Sequence, residues 1–308
     1  MEHVRWLAEP TLQRPTVVAA FTGWNDAGDA ASNAVRHLID GWNAQPLAEI
    51  DPEEFTDFAT VRPHVRLAER RTRHIVWPTV GLWSASVPGG DVIIVLGPEP
   101  ALRWRLFTEQ IVGVAHRFNA SLVLSLGALF ADVPHSRPVQ LIGTATDDSV
   151  IDRFDLQRSR YEGPTGIVGV LLDAAGHSGL STASLWAAVP AYAAQVPSPK
   201  ASLALISRAC DMLGTPTPVG RLEIEAAEYE RRVNALVHDD DDLLGYVTRL
   251  ETMGEHDDED DDDDDDVVGG ELADDVEDDD AAPLHEADLD NVDLMAEVER
   301  FLRDHPEA

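Results

Sequence analysis

Two short apolar runs joined by a helix-length segment limit the fold of this chain more than any other feature. Asp91–Gly97 (DVIIVLG) and Asn119–Gly127 (NASLVLSLG) are almost continuously aliphatic, which is typical of strands buried on both faces. The segment between them, Glu99–Phe118, has apolar residues at helical spacing. Two such strands with a helix between them are joined most simply as a crossover unit in a parallel sheet. The sequence therefore predicts an α/β protein.

The alternation of strand and helix extends over residues 1–219, which we interpret as one α/β body. Further strands are predicted at Thr16–Thr22, Val139–Thr146 and Ser184–Pro190, and further helices at Ala27–Leu38, Asp148–Leu156, Thr165–Ala175 and Pro199–Leu213. Looser alternation in Phe55–Val65 and Arg73–Val87 predicts antiparallel or edge strands. Helices on both sides of such a sheet would give a three-layer αβα domain.

Residues 220–253 have the apolar spacing of a helical extension. The spacing alternates between four and three residues, as in a heptad seam. The seam consists of Leu222, Ala226, Tyr229, Val233, Leu236, Leu243, Val247 and Leu250. The cluster Asp239–Asp242 interrupts it, and an aspartate there could cap a second helix. We therefore favour a helical hairpin, with one long coiled coil as the alternative.

The charge of the chain is concentrated at its C-terminal end. The formal net charge is −34; residues 1–237 hold 20 basic and 26 acidic side chains, whereas residues 238–308 hold 3 and 31. Dense carboxylates repel phosphates, so we expect no nucleic-acid partner and no membrane partner. Residues 254–288 have too little apolar content to fold alone and are predicted to be an acidic disordered linker.

An amphipathic helix is predicted at residues 289–304, after the acidic linker. Its apolar residues form one stripe at helical spacing: Leu294, Met295, Val298, Phe301 and Leu302. A helix of this length is marginal in isolation, so it should form when it is docked. We interpret the stripe as a partner-binding surface, and the docking could be onto its own body or onto a partner.

Neither cysteine chemistry nor a membrane span is indicated. Cys210 lies in an apolar helical pattern, which favours a core thiol over a nucleophile. The N-terminus lacks a basic region followed by an apolar stretch, and no window reaches the ~18 apolar residues that a membrane span requires. We therefore expect a cytoplasmic protein.

The sharpest local motif is Phe21–Asp29 (FTGWNDAGD), where a strand ends in a glycine turn and a helix begins. The turn could bind a ligand through Gly23, Trp24, Asn25 and Asp26, but aspartates beside a helix N-terminus would repel an anion. The glycine spacing does not fit a dinucleotide loop. Turn formation and helix capping are therefore the favoured roles, and a polar ligand site is the alternative.

Two later loops add polar residues to the possible ligand pocket. The loop that follows the second apolar run contains His135 and Arg137, and the carboxyl end of a parallel strand is where ligands bind in open α/β sheets. Thr165, in a turn before a helix, could cap that helix or place backbone amides at the pocket. The sequence shows no serine triad and no metal-ligand spacing, so we predict no catalytic residue, no metal and no cofactor.

Four motifs together resemble the bacterial branch of the proteasome assembly chaperone 2 family. They are F-T-G-W-N-D-A-G-D-A, P-H-S-R-P-V, Y-E-G-P-T-G-I-V-G-V-L and S-L-W-A-A-V-P-A-Y, and the likeness covers about residues 15–250. The resemblance implies an α/β fold like that of the phosphorylase/hydrolase group, with a helical C-terminal addition. It also implies a homo-oligomer.

Two hypotheses of function follow. The first is a non-enzymatic binding or assembly factor for a protein partner, in which the acidic tether presents the terminal helix; the resemblance implies that this partner is proteasome-related. The alternative is a small-molecule enzyme or ligand binder on a phosphorylase-like scaffold. Family members have sometimes been labelled ATP-dependent carboxylate-amine ligases, but a chain whose only lysine is Lys200 gives that label no physical support. We favour the first hypothesis.

Overall fold

The computed structural model describes residues 1–68, 72–218 and 220–256. The strands in these residues are β1 (Val4–Trp6), β2 (Thr16–Thr22), β3 (Gln45–Ile50), β4 (His64–Ala68), β5 (Thr72–Val76), β6 (Val80–Val87), β7 (Gly90–Pro98), β8 (Leu122–Ala131), β9 (Leu141–Ala145), β10 (Gln157–Arg158) and β11 (Thr182–Pro190). The α-helices are α1 (Ala30–Gly41), α2 (Trp104–Arg117), α3 (Asp148–Phe154), α4 (Ile167–His177), α5 (Pro199–Leu213), α6 (Leu222–His238) and α7 (Asp241–His256).

The main sheet of the described chain has nine strands in the order β1-β3-β6-β7-β2-β8-β11-β9-β10. Its centre, β7-β2-β8-β11, is parallel, and Val18 of β2 pairs with Ile94 and Leu124 on either side. The flanking pairs β3-β6, β6-β7 and β11-β9 are antiparallel. The two apolar runs thus form parallel strands of one sheet, as predicted, with β2 between them. The second run continues to Ala131, further than its predicted end at Gly127.

Both faces of the sheet are covered by helices, so its central strands are buried on both sides. Val18 and its neighbours contact α1 and α5, whereas Val17 lies in a second core with α2 and α4. Cys210 is buried in the first core, and burial raises the pKa of its thiol to about 11. The three-layer αβα fold is therefore confirmed.

The helical extension is a hairpin of α6 and α7. Asp240 separates the helices, and its Oδ1 accepts hydrogen bonds from the amides of Asp242 and Leu243, at 3.0 and 3.1 Å. Tyr229, Val233 and Val247 are buried between the helices and the body. The predicted break is confirmed, but Leu236 is exposed and Val237 is buried in its place. Because Val237 lies four residues after Val233, it continues the same face of a straight helix.

The region between β3 and β6 differs from the sequence prediction. The first predicted strand, Phe55–Val65, begins only at His64. The second, Arg73–Val87, is divided into β5 and β6, and β4 pairs with β5 in a separate two-stranded sheet. Proline interrupts the second segment at Pro78, where a strand cannot donate a ladder hydrogen bond. The β4-β5 hairpin, with its flanks (residues 62–68 and 72–77), is called the arm below.

The predicted acidic linker and terminal helix lie outside the described residues, apart from residues 254–256, which belong to α7. The predicted partner-binding residues Leu294, Met295, Val298, Phe301 and Leu302 are therefore also outside them. In the described part of the chain, no helix has the length and apolar character needed to cross a membrane.

Candidate functional site

The turn after β2 is hydrogen-bonded to the neighbouring strand β8. Gly23 adopts a φ of 123°, which favours glycine, and its carbonyl accepts the Asp26 amide at 3.1 Å. The carbonyl of Asn25 accepts the Ala128 amide at 2.9 Å, and Asp26 forms a parallel bridge with Ala128. The motif FTGWNDAGD therefore continues the sheet beyond the end of β2.

Glu99 joins this turn to the start of α4. Its amide donates to the carbonyl of Thr22 at 2.9 Å. Its Oε1 accepts from Asn25 Nδ2 at 2.9 Å and from the Ile167 amide at 2.8 Å. The second bond satisfies a helix N-terminal amide that has no intrahelical acceptor. A Glu99 carboxylate from the end of β7 thus caps a helix that starts 68 residues later.

The start of α4 corrects the prediction for Thr165. The residue preceding the helix is Gly166, which makes no side-chain cap, and Thr165 lies one position earlier. A Cβ atom on Gly166 would lie 2.2 Å from Asn25 Oδ1. Glycine is therefore required here by close approach. Glu99 supplies the cap, which was one of the two roles suggested for Thr165.

The Asp26 side chain caps α1 through the amide of Ser32, which lies six residues later in the chain. Its Oδ1 accepts the Ser32 amide at 2.9 Å, while its Oδ2 is buried with no hydrogen-bond partner among the described residues. Burial is the largest influence on this carboxyl and raises its pKa above the usual value. The favoured interpretation of the motif, capping, matches this geometry, and the second carboxylate oxygen is enclosed by the surrounding protein.

A cavity of about 1060 Å³ lies beside α4, over the faces of β8, β11 and β9. Along β11, Leu185 and Ala187 point into the α5 core, so Ser184 and Trp186 point to the opposite side, into the cavity. Gly127 of β8 leaves room for the Trp186 ring, because a Cβ there would be 2.6 Å from it. Most of the lining is apolar, as is usual for small-molecule pockets.

The charged side chains of the cavity are acidic, and they lie among uncharged polar ones. The described lining contains Asp26, Asp29 and Asp173, with His177, but no arginine or lysine. The Thr144 and Ser184 hydroxyls hydrogen-bond each other at 2.8 Å. Such a surface repels phosphate and carboxylate groups, and it suits an apolar or cationic ligand.

His135 belongs to a different place, the contact between the body and the α6-α7 hairpin. Its Nδ1 lies 2.8 Å from the Tyr192 hydroxyl and its Nε2 lies 3.1 Å from Asn234 Oδ1. The Tyr192 oxygen also accepts the His135 amide, so its hydroxyl can donate to Nδ1, and Nε2–H then donates to Asn234. Burial lowers the pKa of His135, which favours this neutral form.

The same contact includes Arg137 and Lys200. Lys200 Nζ donates to the carbonyls of His135 and Arg137, each at 2.6 Å, and forms an ion pair with Glu230 of α6. Arg137 Nη2 donates to the carbonyl of Glu251 in α7 at 2.7 Å. The loop after β8 therefore binds both helices of the hairpin.

The residues predicted to share one pocket are thus divided between two places. Four of them line the cavity: Gly23, Trp24, Asp26 and Thr165. Asn25 does not line the cavity, and its side chain donates a hydrogen bond to Glu99. His135 and Arg137 bind the hairpin. Sequence reasoning missed Glu99, although an acidic residue directly after a buried parallel strand was a usable signal.

Among the described residues, no cluster of three or more metal-ligating side chains is found. The polar atoms at the carboxyl edge of the sheet mainly join elements: Glu99 joins β7, β2 and α4, and His135 joins the β8 loop to α6. Chemically, this arrangement provides a rigid scaffold with an apolar cavity and one half-satisfied buried carboxyl group, that of Asp26.

Comparison with known proteins places this chain in one family. The model of the PAC2 family matches residues 20–237. A PAC2 family protein from Streptomyces avermitilis is 43% identical, with a TM-score of 0.70 over 76% of this chain and 99% of that chain. A proteasome-assembly chaperone homologue from Mycobacterium tuberculosis is 42% identical, with a TM-score of 0.69 over 75% and 99%.

A more distant structure shares the fold. PbaB, an archaeal proteasome activator from Pyrococcus furiosus, is 17% identical, with a TM-score of 0.62 over 76% of this chain and 97% of that chain. A search of curated proteins gave no match. The resemblance drawn from the four motifs is confirmed, because the family model spans most of the α/β body and α6: this chain belongs to the PAC2 family.

Proposed function

We propose that this protein is a non-enzymatic assembly factor that binds a proteasome-related protein partner. The observation that carries the proposal is the 42% identity to a proteasome-assembly chaperone homologue, 99% of whose length is matched. The proposal includes a homo-oligomeric body and an acidic tether that presents residues 289–304.

The geometry of the sheet edge supports a scaffold. Catalytic acids and bases need free polar atoms near a substrate position. Here both ring nitrogens of His135 have partners, and Glu99 Oε1 already accepts two hydrogen bonds. These groups stabilise the relative positions of β2, α4 and the α6-α7 hairpin, so that the outer surface is held in one shape for a partner.

The test is an assembly assay with the proteasome α and β subunits of the same organism. Purified subunits are mixed with and without the full-length protein, and the formation of the complete particle is followed on native gels. We expect the complete particle to form faster when the protein is present, and the added protein not to be consumed. An unchanged rate at every ratio of factor to subunit would contradict the proposal.

The tether is tested separately in the same assay. Variant L294S/V298S/F301S removes the apolar stripe without touching the described body. Variant V267S/V268S is the matched control, because it removes apolar residues from the acidic region outside the stripe. If the stripe presents the chain to its partner, only the first variant should lose the effect; equal activity of both variants would remove the tether from the proposal.

A second function, binding of a small ligand, is favoured by the cavity. Its volume of about 1060 Å³ and its apolar lining, with the acidic residues Asp26, Asp29 and Asp173, suit an apolar molecule that carries an amine. Native mass spectrometry of the purified protein would reveal a co-purified molecule. Variant D26N keeps a capping oxygen for Ser32, so loss of the bound mass in D26N would support this function, whereas an empty cavity in the wild type would oppose it.

A further inference from the structure

The arm is a two-stranded sheet whose strands pair only with each other in the described chain. Val65 pairs with Ile75 and Leu67 pairs with Arg73, so these four side chains share one face. Val65 and Leu67 are each 63% exposed and Ile75 is 58% exposed. An isolated hairpin is marginally stable in water. The apolar face of the arm therefore needs a covering partner.

This apolar face continues towards the base of the arm. Trp77 follows β5 in the same alternation and is 45% exposed. Its ring is fixed by an edge contact with Phe58, at 5.1 Å between centroids. A large aromatic side chain that is held in place and half exposed adds to the area that a partner can bury.

The charge of the arm limits what can cover it. Residues 62–77, which include the residues between β4 and β5, contain five arginines (Arg62, Arg66, Arg70, Arg71 and Arg73) and two histidines against one acidic residue, Glu69, in a chain whose net charge is −34. Arg73 lies on the apolar face, so two arms packed through this face would bring the Arg73 side chains of both copies into one interface, where like charges repel each other. The occupant should therefore be acidic and should carry an apolar stripe.

The C-terminal segment of the same chain, residues 257–308, has both properties. It contains 25 acidic and 2 basic residues, and its apolar residues Leu294, Val298 and Phe301 recur at helical spacing. Covalent linkage raises its effective concentration at the arm to the millimolar range, above that of most free partners.

The sheet topology brings the segment within reach of the arm. The arm leaves the sheet between the end of β3 and the start of β6, at the same edge as the ends of β7, β2 and β8. The loop after β8 contacts Glu251 of α7. Three strand spacings of about 4.8 Å separate β6 from β8, about 14 Å in all. As a flexible chain, the connection from His256 to Leu294 would span on the order of 30 Å.

We propose that residues 257–308 bind the arm of their own chain, with the stripe Leu294/Val298/Phe301 against Val65, Leu67 and Ile75 and the acidic residues near the arginines. The arm is then covered until an acidic partner displaces the segment. This goes beyond the assembly function: the stripe is docked on the arm of its own chain until it is displaced, and only then is it presented to a partner. Arm exchange tests the docking and the assembly assay tests the function, so either could fail without the other.

Hydrogen exchange of the arm amides in the purified full-length protein tests this docking. The stripe variant L294S/V298S/F301S should exchange about tenfold faster than wild type at residues 64–68 and 72–76. The control V267S/V268S should match wild type. Because the variants lie outside the described body, the fold of the body is kept. Equal exchange in wild type and stripe variant would overturn the proposal and would leave the arm to an external partner.

Salt and protein concentration separate the remaining explanations. Raising NaCl from about 0.05 to about 0.5 M shortens the screening length, so arm exchange should speed up in wild type and change little in the stripe variant. Binding within one chain should be independent of protein concentration over about a twentyfold range. Slower exchange at higher concentration would show that a second copy supplies the segment, and it would overturn binding in cis.

Discussion

Removal of the Glu99 carboxylate should destabilise the fold more than its partly buried position suggests. Glu99 Oε1 accepts hydrogen bonds from Asn25 Nδ2 and the Ile167 amide, at 2.9 and 2.8 Å. A hydrogen bond to a charged group contributes about 1.5–3 kcal/mol to stability. Asn25 is 1% exposed, so its amide would have no water to replace the lost acceptor. Water can replace the lost acceptor at the Ile167 amide but not at Asn25. Variant E99A should therefore lose about 2–4 kcal/mol of unfolding free energy.

The assay is urea unfolding followed by tryptophan fluorescence, with two comparison variants. Variant E99Q keeps an acceptor oxygen without the charge and should lose about 1 kcal/mol. Glu109 is an exposed residue of α2, and E109A should stay within about 0.5 kcal/mol of wild type. If E99A unfolds at the same urea concentration as E109A, the three-way junction of β2, β7 and α4 does not depend on this carboxylate, and the reasoning is wrong.

Three further predictions concern buried groups. Because the pKa of His135 is lowered in the folded protein, the unfolded chain binds a proton at this histidine at a higher pH than the folded chain does. The stability that His135 adds is therefore fully present above about pH 6.5 and declines as the pH falls. The difference in urea midpoint between wild type and H135Q should accordingly shrink from about pH 7.5 to about pH 5.5. A methyl group on Gly166, just before α4, would collide with Asn25, so G166A should cost about 1–3 kcal/mol. A methyl group on Gly176, inside α4, meets open space, so G176A should stabilise by about 0.5–1 kcal/mol; both are measured by urea unfolding. The Cys210 thiol, buried and with a pKa of about 11, should react with an aromatic disulfide reagent only as fast as the protein opens; rapid labelling of the native protein would contradict its position in the core.

Local signals explain most of what sequence reasoning predicted well. The helix Pro199–Leu213 has the predicted bounds, because Ser198 caps it and Pro199 occupies its first turn. The break before α7 follows from Asp240, whose cap bonds reach only two and three residues along the chain. Where the boundary of a helix or strand depends on residues that are neighbours in the sequence, the sequence is enough to predict it.

The candidate site was predicted less well, because its contacts join distant segments. Glu99 reaches Ile167 across 68 residues, and His135 reaches Asn234 across 99. Asp26 and His135 both follow parallel strands, which suggested one pocket. The docking of α6 and α7 on the β8 loop turned His135 away from the cavity, and no local pattern indicates where a hairpin docks.

The sequence by itself determined the αβα class and favoured the helical hairpin, because strand and helix periodicity and helix caps act over a few residues. Only the tertiary structure decided that Glu99 caps α4, that the arm is separate from the main sheet, and that a cavity remains beside Trp186. Each of these depends on which surfaces meet after the chain has folded, and that choice is made by packing and burial between segments that are far apart in sequence.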